Sequence, residues 1–472
     1  MPYITGGVRE QSQLFPASID EYVGAEDPVR VYDAFVEQLD FAQLGIELDE
    51  GKVGHPEFDP RAMVKLLVYG YSYGIRSSRK LERATYHNVS FIWLMGGLKP
   101  DHKTIARFRC NHMTALKNVL RQCAQVCLKL GLIEGNTLFV DGTKVRANAS
   151  MKHTWTTERC QKSLKEIDQR IDEILKQCDA ADQREQQQAS LVKMQEELKD
   201  QEQLKTKLAD VLRQLQEQGV TALNTTDPES ARMRNGGQIE TGYNCQAVVD
   251  DQHGLIVHSE VVSQSNDGGL FSSQIQGAQE TLGKTCQKAC ADAGYSSGED
   301  LKKMLNQGVD VVVPIVRHSD FRDHFTYDAT ADRYRCEQGH ELKYVGDNKL
   351  NKSRMYQITD PLTCRRCSAF GTCTRARAGR RVERPFDEAA RQQLEARWSL
   401  PDAQVLMRRR KMRAEHPFGH IKHNLGMRAF LLRGLGGVRA EAAMAATAFN
   451  LTRMGNLIGI RALIERLNPK LA

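Results

Sequence analysis

The sequence predicts a multidomain α+β protein. Apolar residues recur at helical spacing through the first 132 residues, short apolar strands alternate with helices in the middle, and helices return near the C-terminus. A stretch with heptad-like spacing interrupts the middle part, and a polar stretch with a cysteine group follows it. At 472 residues the chain has room for two or three hydrophobic cores. These changes divide it into six segments: 1–132, 133–157, 158–219, 220–319, 320–400 and 401–472.

The bulk composition, with 40% hydrophobic and 26% charged residues, is ordinary for a soluble protein. The first residues lack the basic-then-apolar pattern of a secretory signal, and no run of about 18 uncharged apolar residues occurs. We therefore expect a cytoplasmic protein with no membrane partner. Because that compartment is reducing, the twelve cysteines do not predict disulfides.

Positive charge is concentrated in two regions. Residues 61–130 hold 13 Lys and Arg against two acidic residues, and residues 400–439 hold nine against two. Basic regions of this density favour a polyanionic partner, and we expect double-stranded DNA. The alternative is a helical bundle with a solvated basic face. The candidate DNA-binding residues are Arg76, Arg79, Lys80, Lys103, Arg107, Arg109, Arg409, Arg410 and Lys411.

The segment 1–132 is predicted to be a helical DNA-binding domain. Asp59 and Pro60 suit the N-cap and first position of one helix, and Ser78 suits the N-cap of another. A turn at 100–104 leads into a helix with Arg107 and Arg109, and a further helix spans about 113–130. Short helices with a basic third or fourth member resemble a helix-turn-helix layout.

The segments that follow alternate between strands and helices. A buried-type strand at 137–140 is predicted to end at Asp141. Heptad-like spacing then predicts an antiparallel helical hairpin at 158–218, with a polar stretch at 179–185 between its arms. A coiled-coil dimer arm is the alternative.

A predicted β-hairpin, 243–249 with 255–262, is followed by a helix at 270–282 and a strand at 288–291 that ends at Asp292. A helix at 298–306 and a strand at 309–315 follow. This element order is that of a ribonuclease-H-like α/β fold, with the hairpin as an insertion. We expect 320–400 to be an irregular, cysteine-rich insertion. From Asp402 the pattern is helical, apart from a glycine break at 434–437.

Three carboxylates follow this order: Asp141, Asp292 and Glu415. Carboxylates far apart in sequence can meet in one fold and hold two Mg²⁺ or Mn²⁺ ions over a phosphodiester. Lys422 and the basic residues 408–411 flank Glu415 and could hold neighbouring phosphates. His416, His420 and His423 form a helical face for which we favour phosphate contact or packing over zinc.

Four cysteines form the only spaced group: Cys336, Cys364, Cys367 and Cys373. Cys364 and Cys367 have the spacing of a zinc half-site, and the other two could complete a structural Zn²⁺ site. His340 could replace one of them. Free reduced cysteines are the alternative.

With these stretches assembled, the chain resembles a bacterial insertion-sequence transposase of the DDE class, in the subgroup with a helical N-terminal domain and a long insertion after the first Asp. In many relatives a tyrosine stands ahead of the Glu, near the place that Arg408 occupies here. The matching stretches are 58–61, 74–82, 100–109, 140–145, 242–246, 291–295 and 415–422.

The resemblance implies that Asp141, Asp292 and Glu415 are the metal-binding triad and that Lys422 is the cation following the Glu. It implies binding of transposon ends, Mg²⁺-dependent cleavage there, and joining of the freed 3′ ends to target DNA. We expect a homo-oligomer, such as a dimer, and association with the nucleoid. The alternatives are a ribonuclease-H-like nuclease without joining activity and an inactive relative that only binds DNA.

Overall fold

A computed structural model describes residues 18–48, 57–182, 188–314, 324–349 and 352–468, with the side chains of 178–182 and 188–194 left out of the description. The chain forms two compact units. Unit 1 comprises residues 1–134, 142–266 and 414–472, and unit 2 comprises 135–141 and 267–413. No helix in the described ranges has the length and apolar character needed to cross a membrane.

Helices make up most of unit 1, and unit 2 combines helices with strands. In chain order the described α-helices are α1 (Val29–Glu37), α2 (Phe41–Leu44), α3 (Pro60–Ser72), α4 (Ser78–His87), α5 (Val89–Leu94), α6 (His102–Asn111), α7 (Met113–Lys129), α8 (Thr157–Asp182), α9 (Gln188–Gln218), α10 (Phe271–Leu282), α11 (Gly298–Asn306), α12 (Pro361–Arg365), α13 (Glu388–Trp398), α14 (Pro401–His423), α15 (Gly434–Ile458) and α16 (Ile460–Leu467).

The strands fall into mixed, antiparallel and two-stranded sheets. They are β1 (Thr137–Arg146), β2 (Thr154–Thr156), β3 (Ala222–Asn224), β4 (Ala231–Asn235), β5 (Gln238–Asp250), β6 (Ile256–Val262), β7 (Lys288–Cys290), β8 (Asp310–Val312), β9 (Phe325–Asp328), β10 (Arg333–Cys336), β11 (Glu341–Asn348), β12 (Ser353–Ile358) and β13 (Arg381–Pro385). The chain is thus a mixed α/β protein, as the sequence predicts.

Helix α15 forms the core of unit 1. It packs against α3, α7 and β6, and nearly every residue from Gly437 to Leu451 is buried. Many of these residues are alanines, whose small side chains allow neighbouring backbones to approach closely. The predicted glycine break at 434–437 was wrong, because these glycines form the first turn of α15 and the interruption lies at 424–433.

The start of α3 follows the prediction, whereas that of α4 is shifted by one residue. Asp59 accepts a hydrogen bond from the Arg61 backbone N–H, with Pro60 in the first helical position. Ser77 rather than Ser78 is the N-cap residue of α4, since the helix itself begins at Ser78.

Helices α8 and α9 pack against each other as an antiparallel hairpin. Ion pairs Arg170–Glu197 and Lys205–Asp168 cross between them, with N···O distances of 2.8 and 2.6 Å. Apolar side chains at the heptad-like positions, among them Ile174, are buried along the contact. The hairpin is therefore formed within one chain. Residues 183–185 of the predicted polar stretch lie outside the described residues.

In the mixed sheet, the paired strands of unit 1 are antiparallel, whereas those of unit 2 are parallel. Strand β5 pairs with β4 and then with β6, and it neighbours the second half of β1. In unit 2 the first half of β1 pairs with β7, which pairs with β8. The predicted strand at 309–315 is limited to β8, and residue 315 lies outside the described residues.

The prediction that 320–400 is irregular was wrong. Strands β9 to β13 form a five-stranded antiparallel sheet in unit 2. Its small core consists of Phe325, Tyr334, Leu342, Tyr356 and Val382. Buried aromatic residues alternate with arginines along these strands, and the many arginines made the segment look irregular. In β10, for example, Tyr334 is buried whereas Arg335 is exposed.

A buried ion pair joins Arg76, which precedes α4, to Glu441 on α15 in unit 1. Arg76 donates to the Glu441 carboxylate at 2.5 Å, and the two side chains are 10% and 0% exposed. Glu441 also accepts from the backbone N–H groups of Leu431 and Leu432, at 2.9 and 3.0 Å. The carboxylate is therefore fully paired at the centre of the unit.

We predict that Glu441→Ala lowers the free energy of unfolding by about 3–5 kcal/mol, because it leaves the Arg76 guanidinium buried without its counter-ion. Urea unfolding followed by circular dichroism measures the loss. Glu465→Ala is the matched control, since Glu465 pairs with Arg461 in solvent and its loss should cost about 0.5 kcal/mol or less. A loss below about 1 kcal/mol for Glu441→Ala would contradict this account.

Candidate active site

Asp141 lies in the middle of β1, at the last residue that unit 2 takes from this strand. The prediction that the strand ends at Asp141 was wrong, because residues 142–146 continue extended in unit 1. The side chain of Asp141 is 12% exposed. A carboxylate this buried needs cationic or hydrogen-bonding partners.

Asp292 follows β7 and is the N-cap of a 3₁₀ turn at Ala293–Tyr295. Its Oδ1 accepts a hydrogen bond from the Gly294 backbone N–H at 2.8 Å. In the parallel pairing of β1 with β7, Phe139 is opposite Cys290. Asp141 and Asp292 each come two residues later, so unit 2 brings these two predicted site residues together at adjacent strand positions.

Arg410, in the unit 2 part of α14, joins the two aspartates. Its Nη2 donates to Asp141 Oδ1 at 2.8 Å and to Asp292 Oδ2 at 3.3 Å, and its Nε donates to the Val140 carbonyl at 3.2 Å. The Arg410 side chain is only 6% exposed. In this conformation the guanidinium is bound to the two carboxylates, and contact of Arg410 with DNA stays a prediction.

A further carboxylate, Asp267, lies beside this pair and was missed from the sequence. A Cβ placed on Gly294 would be 2.9 Å from Asp292 Oδ1 and 3.3 Å from Asp267 Oδ2, so both carboxylates approach this glycine closely. Burial raises the pKa of Tyr295, and Asp267, Asp141 and Asp292 raise it further. The available signal was an acidic turn, Asp267-Gly268-Gly269, directly before α10.

Glu415 and Lys422 belong to the unit 1 part of α14. Glu415 is exposed. Lys422 donates to Thr143 Oγ1 at 2.6 Å and to the Lys144 carbonyl at 3.0 Å, so it holds the second half of β1 within unit 1. The convergence of Glu415 with the two aspartates stays a prediction.

The histidines of α14 pack rather than form a cluster of ligands. The rings of His416 and His420 lie 5.8 and 5.4 Å from the Phe449 ring, centroid to centroid. Burial lowers the pKa of both imidazoles. His423 Nδ1 lies 3.2 Å from Nη2 of Arg428.

The predicted basic residues of the N-terminal segment separate into two groups. One group is exposed on α4 and α6: Arg79, Lys80, Lys103 and Arg107. His102 Nδ1 lies 2.8 Å from Glu82 Oε2 and links these two helices. Arg109 is 4% exposed, with its guanidinium 6.0 Å from the Tyr71 ring, and Arg76 is occupied by Glu441. Packing and pairing therefore withdraw Arg76 and Arg109 from solvent, and their contact with DNA stays a prediction.

On α14 the basic neighbours of Arg410 point outward. Arg409 and Lys411 are exposed. Consecutive helical residues are about 100° apart, so only one residue of three neighbours can face the strands. Residue type alone could not tell which arginine that would be.

The four predicted zinc ligands line one cavity of unit 2, with a volume of about 360 Å³. Burial raises the pKa of the Cys373 thiol, Arg380 opposes this effect, and the other three cysteines raise the pKa further. The Arg380 backbone N–H lies 3.5 Å from Cys364 Sγ. In the described parts of the chain, no three or more His, Cys, Asp and Glu side chains are arranged to hold a metal ion.

Comparison with known proteins gives two family matches. A family model described as a transposase domain (DUF772) matches residues 17–111. A second, described as a transposase DDE domain, matches residues 335–455, which include the cysteine group, α14 and most of α15. No curated protein matches the chain.

Proposed function

Given that this chain belongs to the insertion-sequence transposases of the DDE class, we propose that it binds the terminal inverted repeats of its element, cleaves there and joins the freed 3′ ends to target DNA. The observation that carries this proposal is the meeting of Asp141 and Asp292 on one guanidinium nitrogen. Two ends must be held together, so a homodimer is part of the proposal.

We propose that the mixed sheet is ribonuclease-H-like. Strands β1, β7 and β8 are parallel neighbours in that order, and the antiparallel hairpin β5–β6 neighbours β1. This arrangement supports the fold because it puts the first Asp on the central strand and the second on the strand beside it.

Asp141, Asp292 and Glu415 are the proposed ligands of Mg²⁺ or Mn²⁺. Carboxylate oxygens suit these ions, and two of the carboxylates already converge on a cation in unit 2. When bound, the metal supplies Lewis-acid stabilisation of an in-line phosphoryl transfer. The Gly294 N–H orients the Asp292 carboxylate, and Lys422 is a positioning residue that fixes the strand segment after Asp141.

We predict that Asp141→Asn lowers Mg²⁺-dependent nicking of a transposon-end duplex by at least about a hundredfold, since several kcal/mol of charge stabilisation depend on the metal. Binding of the same duplex should be unchanged in a mobility-shift assay. The matched control is Asp347→Asn, which changes an exposed residue of β11 and should nick normally. Undiminished nicking by Asp141→Asn would rule out the assigned site.

Joining of a precleaved end to a plasmid separates a transposase from a nuclease without joining activity. Absence of nicking in the wild type, with DNA binding retained, would instead identify an inactive DNA-binding relative.

We propose that the exposed lysine and arginine side chains of α4 and α6 bind DNA phosphates. Arg79, Lys80, Lys103 and Arg107 share this surface with Arg83 and Lys99, and all six are exposed. Two acids lie beside these residues: Glu82 is paired with His102, and Asp101 caps α6 by accepting from the Thr104 backbone N–H. The surface thus offers positive charge without a matching set of carboxylates on these two helices. Arg409 and Lys411 on α14 are proposed as additional phosphate contacts.

We predict that the double variant Lys103→Ala/Arg107→Ala weakens binding of any duplex and lowers the slope of log K against log[salt] by about 2, because each phosphate contact contributes about 0.9. Fluorescence anisotropy over a range of salt concentrations measures the slope. The control Lys162→Ala removes an exposed lysine of the helical hairpin and should leave the slope unchanged. An unaltered slope in the double variant would exclude this surface.

We further propose that Cys336, Cys364, Cys367 and Cys373 bind a structural Zn²⁺. Their shared cavity and their mutual effect on the Cys373 thiol support this assignment. The Arg380 N–H beside Cys364 Sγ is the kind of donor that stabilises a thiolate ligand. Zinc binding would stabilise the folded state of this sheet, whose core cluster is small: five buried residues in the described part of the chain.

We predict about one equivalent of zinc in the purified protein, measured by mass spectrometry of the metal, and loss of that zinc with a lower melting temperature in Cys364→Ser/Cys367→Ser. Cys110→Ser, which changes an exposed cysteine of α6, should retain the metal. Zinc-free wild-type protein that keeps its melting temperature in chelator would mean that the cysteines are free thiols.

A further inference from the structure

Arg410 occupies the place between the two aspartates proposed as metal ligands. A single nitrogen, Nη2, lies within 2.8 Å of Asp141 and 3.3 Å of Asp292. The Arg410 and Asp141 side chains are 6% and 12% exposed, so this charge is held away from water. A buried guanidinium in this position neutralises carboxylates that would otherwise repel each other.

A third carboxylate, that of Asp267, approaches Gly294 on the same side as Asp292. Carboxylate oxygens are the ligands that divalent cations such as Mg²⁺ and Mn²⁺ prefer, so the residues around Arg410 have the chemistry of a cation site.

A divalent cation and the guanidinium nitrogen compete for the same oxygens. Nη2 contacts Asp141 Oδ1 and Asp292 Oδ2, and a divalent cation held by the same two carboxylates would lie close to the guanidinium, so the two cations would repel each other. The Nε bond to the Val140 carbonyl involves neither carboxylate, so it can keep the guanidinium beside β1 while Nη2 moves. Asp292 is 46% exposed, which leaves the pair open to solvent on that side.

We propose that Arg410 is an exchangeable counter-ion: it pairs with Asp141 and Asp292 in the metal-free protein and leaves these carboxylates when a divalent cation binds. It thereby lowers the metal affinity of the site and keeps the metal-free protein folded. This inference rests on the proposed function, because it takes the two aspartates as metal ligands. A purely structural ion pair would instead be indifferent to metal.

The test is a Mn²⁺ titration of the full-length protein without DNA, in which electron paramagnetic resonance reports free Mn²⁺. Arg410→Gln removes the charge but keeps a donor for the Val140 carbonyl, and it should bind Mn²⁺ at least about tenfold more tightly than the wild type. Arg410→Lys keeps the charge and should remain within about threefold of the wild type. Arg461→Gln, which changes an exposed arginine of α16, should leave the affinity unchanged.

The outcomes separate this inference from the proposed function. If Asp141→Asn abolishes Mn²⁺ binding but Arg410→Gln binds no more tightly than the wild type, the counter-ion role is overturned and the metal site stands. If no variant or wild-type protein binds Mn²⁺ in a way that depends on Asp141, the metal site itself is overturned.

A second measurement uses the wild type and does not depend on the folding of Arg410→Gln. The Nε–Hε resonance of Arg410, assigned by its absence in Arg410→Lys, should shift on titration with diamagnetic Mg²⁺ with the same midpoint as Mg²⁺ binding. A resonance that stays in place while Mg²⁺ binds would overturn the exchange.

Discussion

The parallel pairing of β1 with β7 is the constraint on which the candidate site depends. With Phe139 opposite Cys290, the two strands deliver Asp141 and Asp292 to equivalent positions beyond the paired residues. Two ionised carboxylates close together in a protein interior are stabilised by a cation, because their mutual repulsion and their desolvation are both unfavourable. Arg410 supplies that cation from α14, and the unit 2 part of this helix is held in turn by Arg397, which binds Asp310 at 2.6 Å and Asp402 at 2.7 Å.

In unit 1, paired charges also hold an element in place, at the start of α15. The first N–H groups of α15 are bound by carboxylates: Gly434 donates to Asp227 at 3.1 Å and Leu435 to Glu229 at 2.7 Å. Tyr243 donates to the same Asp227 at 2.7 Å. Glu441, further along α15, forms its ion pair with Arg76. Negative charge near a helix N-terminus satisfies free N–H groups and the helix dipole together. A helix rich in alanine is thus positioned by charges at its start as well as by packing along its length.

The five-stranded sheet of unit 2 shows how a very polar segment can still fold. Its tyrosine rings contact one another, with Tyr327, Tyr334 and Tyr356 at centroid distances of 5.0 to 6.0 Å. Arginines lie over these rings, and the Arg384 guanidinium is 3.9 Å from the Tyr327 ring. Cation–π contact lets arginines contribute to packing in positions where a count of apolar residues finds little core.

The sequence by itself determined that helices and strands are mixed, most of their positions, the helical hairpin and the identity of the two aspartates that meet beside β1 and β7. These features depend on local periodicity, capping and chain order, which are properties of neighbouring residues. Tertiary structure alone decided that Arg410 joins these aspartates, that Asp267 lies beside them, and that Arg76 and Arg109 are withdrawn from solvent. The reason is physical: one arginine resembles another along the chain, and only packing of distant segments fixes which one is buried and which carboxylate it meets.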